Sequence, residues 1–329
     1  MMFRSPLLPI ASLFLLFAPP THASDLVVRF RLGVEALEAG RYAKARSILK
    51  SALAEMGDGG AAADRALLLD RLGDALAGAG DWRAAEQSYK RSLGAWEQAP
   101  APLPLASALS LADLANVIRR LGRLSEADEY YAEAQAAILR LAGPDHPELA
   151  GLLNQRAQLA QQQGEDKTAS ARYRDALRIW ERLGRSHDAE AAYPLHNLGL
   201  LEVRAGRVGT GRDKLLRARS IWRDALPLNH PVLAASSAAL GEAAAAEGDQ
   251  EETRRCFDTA LAHARSTLGP DHVKVGLLLA RYSAVMRTLG ANRQAKRLTA
   301  ESDRILTAHD GSRKAALVVD VSALDRGLR

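Results

Sequence analysis

The chain is 329 residues long, 47% hydrophobic but only 5% aromatic, with 44 Lys and Arg against 39 Asp and Glu. Few aromatics beside abundant Ala and Leu disfavour a sheet-built core and suit packed helices, and a single cysteine, Cys256, excludes an intramolecular disulfide. The formal charge of +5 is modest, and no basic stripe with interleaved aromatics runs along the chain, so nucleic-acid binding is not predicted.

Residues 1–23 read as an export leader. Arg4 supplies a positive start, Leu7 to Ala18 an apolar run, and Thr21-His22-Ala23 a small-x-small cleavage site before Ser24. The run is too short for the roughly 20 residues that span a bilayer. The chain is therefore expected to be periplasmic or secreted, with an uncleaved N-terminal anchor as the alternative. Removing the leader takes Arg4 with it.

From residue 24 to 308 the sequence is periodic. Glycines at Gly80, Gly122, Gly164, Gly206, Gly248 and Gly290 stand 42 apart, and Gly40 lies 40 before the first of them. A fixed period of this length is the signature of a solenoid. Chemical type repeats around each mark. Seven before it stand Gly33, Gly73, Ala115, Ala157, Gly199, Gly241 and Ser283. Five after it come Ala45, Ala85, Ala127, Ala169, Gly211, Thr253 and Ala295, and nine after it Leu49, Tyr89, Tyr131, Tyr173, Leu215, Phe257 and Thr299. Twelve after it come Ala52, Ser92, Ala134, Ala176, Ala218, Ala260 and Ser302. Narrow residues in register let two helices approach closely, and the bulky one fills the groove left beside them. Seven helical hairpins are predicted, each turning at its glycine. Trp96, Trp180 and Trp222 share one position near the end of the second helix and read as packing between repeats. A proline-rich linker, 99–104, interrupts the series after the second hairpin. The tail, 309–329, carries a β-branched run, 315–321, expected as an extended cap, as disorder or as a strand added to another chain.

The pairing of Leu-Gly or Leu-Ala on a first helix with Ala, aromatic and Ala on a second resembles the tetratricopeptide repeat. The junctions Gly143-Pro-Asp-His-Pro147, Pro227-Leu-Asn-His-Pro231 and Gly269-Pro-Asp-His272 are similar to those of kinesin-light-chain-type repeats, as are Leu153-Asn154 and Ala176-Leu-Arg-Ile-Trp-Glu181. The resemblance covers about residues 26–306. It implies an all-α, right-handed superhelical solenoid that binds a protein or peptide partner on the concave face lined by first helices. Positions ten, six, three and two before the turn glycine face that groove in the family. In the middle units they are Asn116, Arg119 and Arg120, then Asn154, Gln158, Gln161 and Gln162, then His196 and Arg204. Asn and Gln can hydrogen-bond an extended backbone, and Arg can pair its carboxylates.

Other chemistry is weaker. Gly206-Arg-Val-Gly-Thr-Gly211-Arg212-Asp213 imitates a phosphate loop, but Arg212 and Asp213 replace the Lys and the Ser or Thr that such a loop needs, so no nucleotide cofactor is predicted. His146, His230 and His272 recur one repeat apart. Packed helices stand about 8–10 Å from axis to axis, too far for equivalent side chains to share a metal, and the place of the three beside Asp145, Asn229 and Asp271 reads as a helix entry with a short polar cap, a structural role. No catalytic motif is present, so the chain is read as a scaffold and not an enzyme. The alternatives are an accessory subunit of a secreted enzyme, the enzyme itself, or a binder of anionic surfaces. The last would use the end from Arg281 onward, where ten Lys or Arg face five Asp or Glu.

Overall fold

In a computed structural model, residues 22–57, 59–99 and 105–308 are described, 22–24 as backbone only. The predicted leader up to Thr21, the linker prolines and the C-terminal tail lie outside them. Fourteen helices follow one another, and no strand occurs among the described residues. They are α1 (His22–Glu38), α2 (Tyr42–Met56), α3 (Ala62–Gly78), α4 (Trp82–Gln98), α5 (Leu105–Arg120), α6 (Leu124–Ala142) and α7 (Pro147–Gln162), followed by α8 (Asp166–Arg182), α9 (Ala192–Arg204), α10 (Val208–Ala225), α11 (Val232–Ala246), α12 (Gln250–Leu268), α13 (Val273–Thr288) and α14 (Asn292–Ala308). Two compact units divide inside α7, residues 1–152 and 153–329.

Every hairpin turns at a marked glycine. Those seven residues have φ between 68° and 83°, the left-handed region that favours glycine. At Gly164 the glycine N–H donates to the Gln161 carbonyl (3.1 Å) and the Glu165 N–H to the Ala160 carbonyl (2.8 Å). This pair of bonds closes a helix end through a left-handed residue. The same two bonds recur at all seven turns.

The four columns form the core. Ala45, Ala85, Ala127, Ala169, Thr253, Leu49, Tyr89, Tyr131, Tyr173, Leu215 and Phe257 are all fully buried. The small column seven before the turn meets the bulky column nine after it within the hairpin: a Cβ on Gly33 would strike Leu49 at 2.7 Å, on Gly73 Tyr89 at 2.7 Å, and on Gly241 Phe257 at 2.7 Å. The last hairpin keeps the register with different chemistry. There Ser283 Oγ donates to the Ala295 carbonyl (2.8 Å) and lies 2.7 Å from Thr299 Oγ1, so hydroxyls replace the small and large pair.

Between α9 and α10 backbone meets backbone. A Cβ on Gly199 would stand 2.9 Å from the Gly211 carbonyl oxygen, and one on Gly211 would stand 2.7 Å from that of Gly199. The glycine of the phosphate-loop look-alike is thus a packing contact inside α10. Cys256 fills core beside Val203, Leu215 and Leu240, and burial pushes its thiol up.

The three repeat-spaced tryptophans are 1–2% exposed. Trp96 Nε1 donates to Ser110 Oγ (3.2 Å), which reaches the buried Asp70 (2.8 Å), so one polar chain ties α4, α5 and α3. α9 is the shortest helix, 13 residues, because residues 183–191 form turns ahead of it.

Candidate functional site

First helices in the two units carry the predicted groove residues, and each unit arranges them differently. In the first unit Asn116 is half-buried on α5 and accepts a hydrogen bond from Arg119 Nη2 (2.8 Å). Arg119 is only 4% exposed, near the buried phenol of Tyr131, which burial pushes up and the Arg119 charge draws back. One turn-ward step places Arg120 in solvent with its guanidinium 5.9 Å from the Trp82 ring at the start of α4. Arg119 is thus a core polar group and Arg120 a surface one.

In the second unit Asn154 and Gln158 on α7 are half-buried. Asn197 Nδ2 of α9 donates to Asn154 Oδ1 (3.0 Å), joining neighbouring first helices. Gln161 accepts from the Tyr173 hydroxyl (2.5 Å), so its carbonyl is engaged inside its own hairpin. Gln162 is half-buried with its Oε1 shut off from solvent.

His196 on α9 is 8% exposed, its ring centroid 5.2 Å from that of Trp222. Tyr193 meets the same indole edge-on at 5.1 Å, and the indole N–H is fixed by the Ala189 carbonyl (2.9 Å). Burial, then the charge of Arg281, pushes His196 down to about 3, so the imidazole stays neutral. Arg281 on α13 bonds Glu242 on α11, with side chains 23% and 12% exposed. Burial raises the Glu242 carboxyl, but the charge and hydrogen bond of Arg281, with Arg204 adding, outweigh it and hold the group below its ordinary value. Arg204, at the end of α9, is exposed. α9, α11 and α13 therefore share one polar cluster: a neutral imidazole, a carboxylate already engaged, and an exposed guanidinium beside them.

Asn197, Glu242 and Arg281 were not among the expected residues. Glu242 stands six before Gly248, the position used for Asn116 and Gln158, so extending that rule one repeat further finds it. Asn197 and Arg281 stand nine before their glycines, outside the positions the resemblance supplies.

No group of three or more His, Cys, Asp or Glu able to hold a metal occurs among the described residues, and no helix there is long and apolar enough to cross a membrane.

Residues 104–182 match the family model for the tetratricopeptide repeat. No curated protein matches the chain in sequence. Solved structures do. BtubC (BKLC) from P. vanneervenii is 22% identical with a TM-score of 0.54, covering 74% of this chain and 92% of its own. A single-residue variant of a putative kinesin light chain from Podosopora anserina, with nearly identical TPR-like repeats, is 20% identical with a TM-score of 0.50, covering 63% of this chain and 98% of its own. NprR in complex with its cognate peptide NprX is 11% identical with a TM-score of 0.65, covering 96% of this chain and 88% of its own. At such identities the likeness establishes the fold: an all-α repeat solenoid of the tetratricopeptide kind, with kinesin-light-chain-like repeats among its neighbours.

Proposed function

We propose that the chain is a scaffold that holds an extended segment of a partner protein along the first-helix face of its second unit. The bridge from Asn154 to Asn197 carries this reading. Asn154 spends its carbonyl on the bridge and keeps its amide N–H groups, while Asn197 keeps its carbonyl, so the pair offers a donor and an acceptor to a peptide backbone. Arg204 adds a solvent-facing guanidinium for a carboxylate on the segment. The fold shared with NprR, solved with a peptide bound, supports the choice of ligand class. The chain acts by binding, and no reaction is assigned to it.

The test is an Asn154→Ala, Arg204→Ala double variant compared with the parent by affinity capture and mass spectrometry. Both residues sit outside the buried core, so the fold is expected to persist. At least about tenfold weaker capture of the main partner is expected, since a charge-assisted bond contributes about 1.5–3 kcal/mol. Undiminished capture of every partner would remove this face from consideration. Arg119→Ala is unsuited to the purpose, because that side chain is 4% exposed and its removal disturbs the core.

Export belongs to the same proposal, on the strength of the leader-like residues 1–23. N-terminal sequencing of the exported protein should begin at Ser24, and a start at Met1 would favour the retained anchor.

A further inference from the structure

The three junction histidines do one job in three places. His146, His230 and His272 each stand eighteen residues before their turn glycine. In each, the imidazole Nδ1 accepts the backbone N–H two residues on: Glu148 (3.2 Å), Val232 (3.3 Å) and Lys274 (3.1 Å). The backbone carbonyl of each accepts from three residues on: Leu149 (3.0 Å), Leu233 (3.1 Å) and Val275 (2.8 Å). An imidazole thus does the work usually given to Ser, Asp or Asn at a helix start. Unlike a hydroxyl or an amide, an imidazole is also a base that acid can protonate at the capping nitrogen.

A fourth junction is built from other residues, Arg185-Ser186-His187-Asp188-Ala189. Asp188 occupies the same slot, eighteen before Gly206. Its carbonyl makes the equivalent bond to the Ala191 N–H (3.0 Å), and its carboxylate pairs with Arg185 Nε (2.6 Å) instead of capping. Arg185 itself lies 5.2 Å over the Trp180 ring. The slot here therefore holds a carboxylate, with His187 directly before it and α9 starting only at Ala192.

We infer that His146, His230 and His272 form a set of acid-released latches at the entries of α7, α11 and α13. Protonation at Nδ1 turns an acceptor into a donor that faces a backbone N–H, and sets a positive charge at the positive end of a helix. Both effects oppose the cap, so acid loosens three helix entries together.

The surroundings of each latch set its bias. Beside His146 stand Asp145 and Glu148. His230 faces His263 of α12, whose Nε2 lies 3.0 Å from the His230 carbonyl, and Thr267 of the same helix donates to the Asn229 carbonyl (3.3 Å). Burial and then the His263 charge push His230 below its ordinary value. A group whose folded value is lowered adds stability that is fully present above its unfolded pKa, about 6.5 for His, and is lost as pH falls below that. Around His272 are Asp271, Lys274 and Arg304 of α14, with Arg304 bonded to Asp271 (2.9 Å).

The full chain and a His146→Asn, His230→Asn, His272→Asn variant should be melted at pH 7.5 and 5.5. Asn keeps a side-chain acceptor at all three caps at either pH. The parent should lose roughly 5 °C more than the variant on acidification, since it loses three caps that the variant keeps. Equal losses would overturn the inference, since every other titrating group is common to both proteins. Should the variant fold poorly, imidazole 15N shifts of the parent decide the matter. At pH 7.5 the three Nδ1 atoms should be unprotonated, and on acidification amide exchange should quicken at Glu148, Val232 and Lys274 beyond any change at Glu165 and Asp249, whose N–H groups are held by backbone carbonyls. A proton on Nδ1 at pH 7.5, or the same acid response at Glu165 and Asp249, would overturn it.

Discussion

The two ends of a hairpin are built on opposite plans. Inside it, the turn is one backbone device used seven times, a left-handed glycine closed by the same two main-chain bonds. Between hairpins, the junction relies on side chains and varies: histidine caps at three, an Arg185–Asp188 pair at a fourth. A turn closed by backbone bonds responds little to pH or to neighbouring side chains, whereas a junction closed by an imidazole or a carboxylate takes on the chemistry of that group. Variation therefore concentrates where one repeat meets the next.

Substitutions can break or sharpen this contrast. The largest effect belongs to the columns that the turn brings together. Ala169→Arg forces a long charged side chain between α7 and α8, beside Ala157, Ala160 and Tyr173, and should cost at least about 3 kcal/mol in a urea titration. Next come the turns. A Cβ at Gly164 or Gly248 meets nothing within 4 Å, so Ala there costs only the left-handed backbone, about 1–2 kcal/mol. The two variants should agree within about 0.5 kcal/mol; a wide gap would show that the turns are not equivalent. At the junction, Asp188→Ala removes a pair whose side chains are 42% and 34% exposed and should cost under about 1 kcal/mol, read by thermal melting and reduced by added salt. Smallest is Glu165→Lys, an exposed residue whose side chain makes no cap bond, within about 0.5 kcal/mol of the parent.

What could be read from the sequence divides along the same line. The columns were legible because each repeat asks the same steric question, so Gly73 opposite Tyr89 and Gly241 opposite Phe257 leave a periodic trace. Even the departures at Ser283 and Thr299 keep their places. The polar face left less. Asn197 with Asn154, and Arg281 with Glu242, are pairs between hairpins, 43 and 39 residues apart, and each occurs once. Nothing periodic announces a contact made once. Burial was illegible for a related reason. Arg119 and Arg120 are adjacent and chemically identical, yet one is 4% exposed and the other stands in solvent over Trp82.

The meeting of Gly199 and Gly211 constrains how this chain can change. Each residue's missing side chain is the room occupied by the other's carbonyl oxygen, with 2.9 and 2.7 Å where an ordinary methyl contact needs well over 3 Å. Replacing either one pries two helices apart along their length, and the partner glycine then has nothing left to gain by staying small. Descendants of this sequence should keep both or lose both, with a widened hairpin in those that lost them.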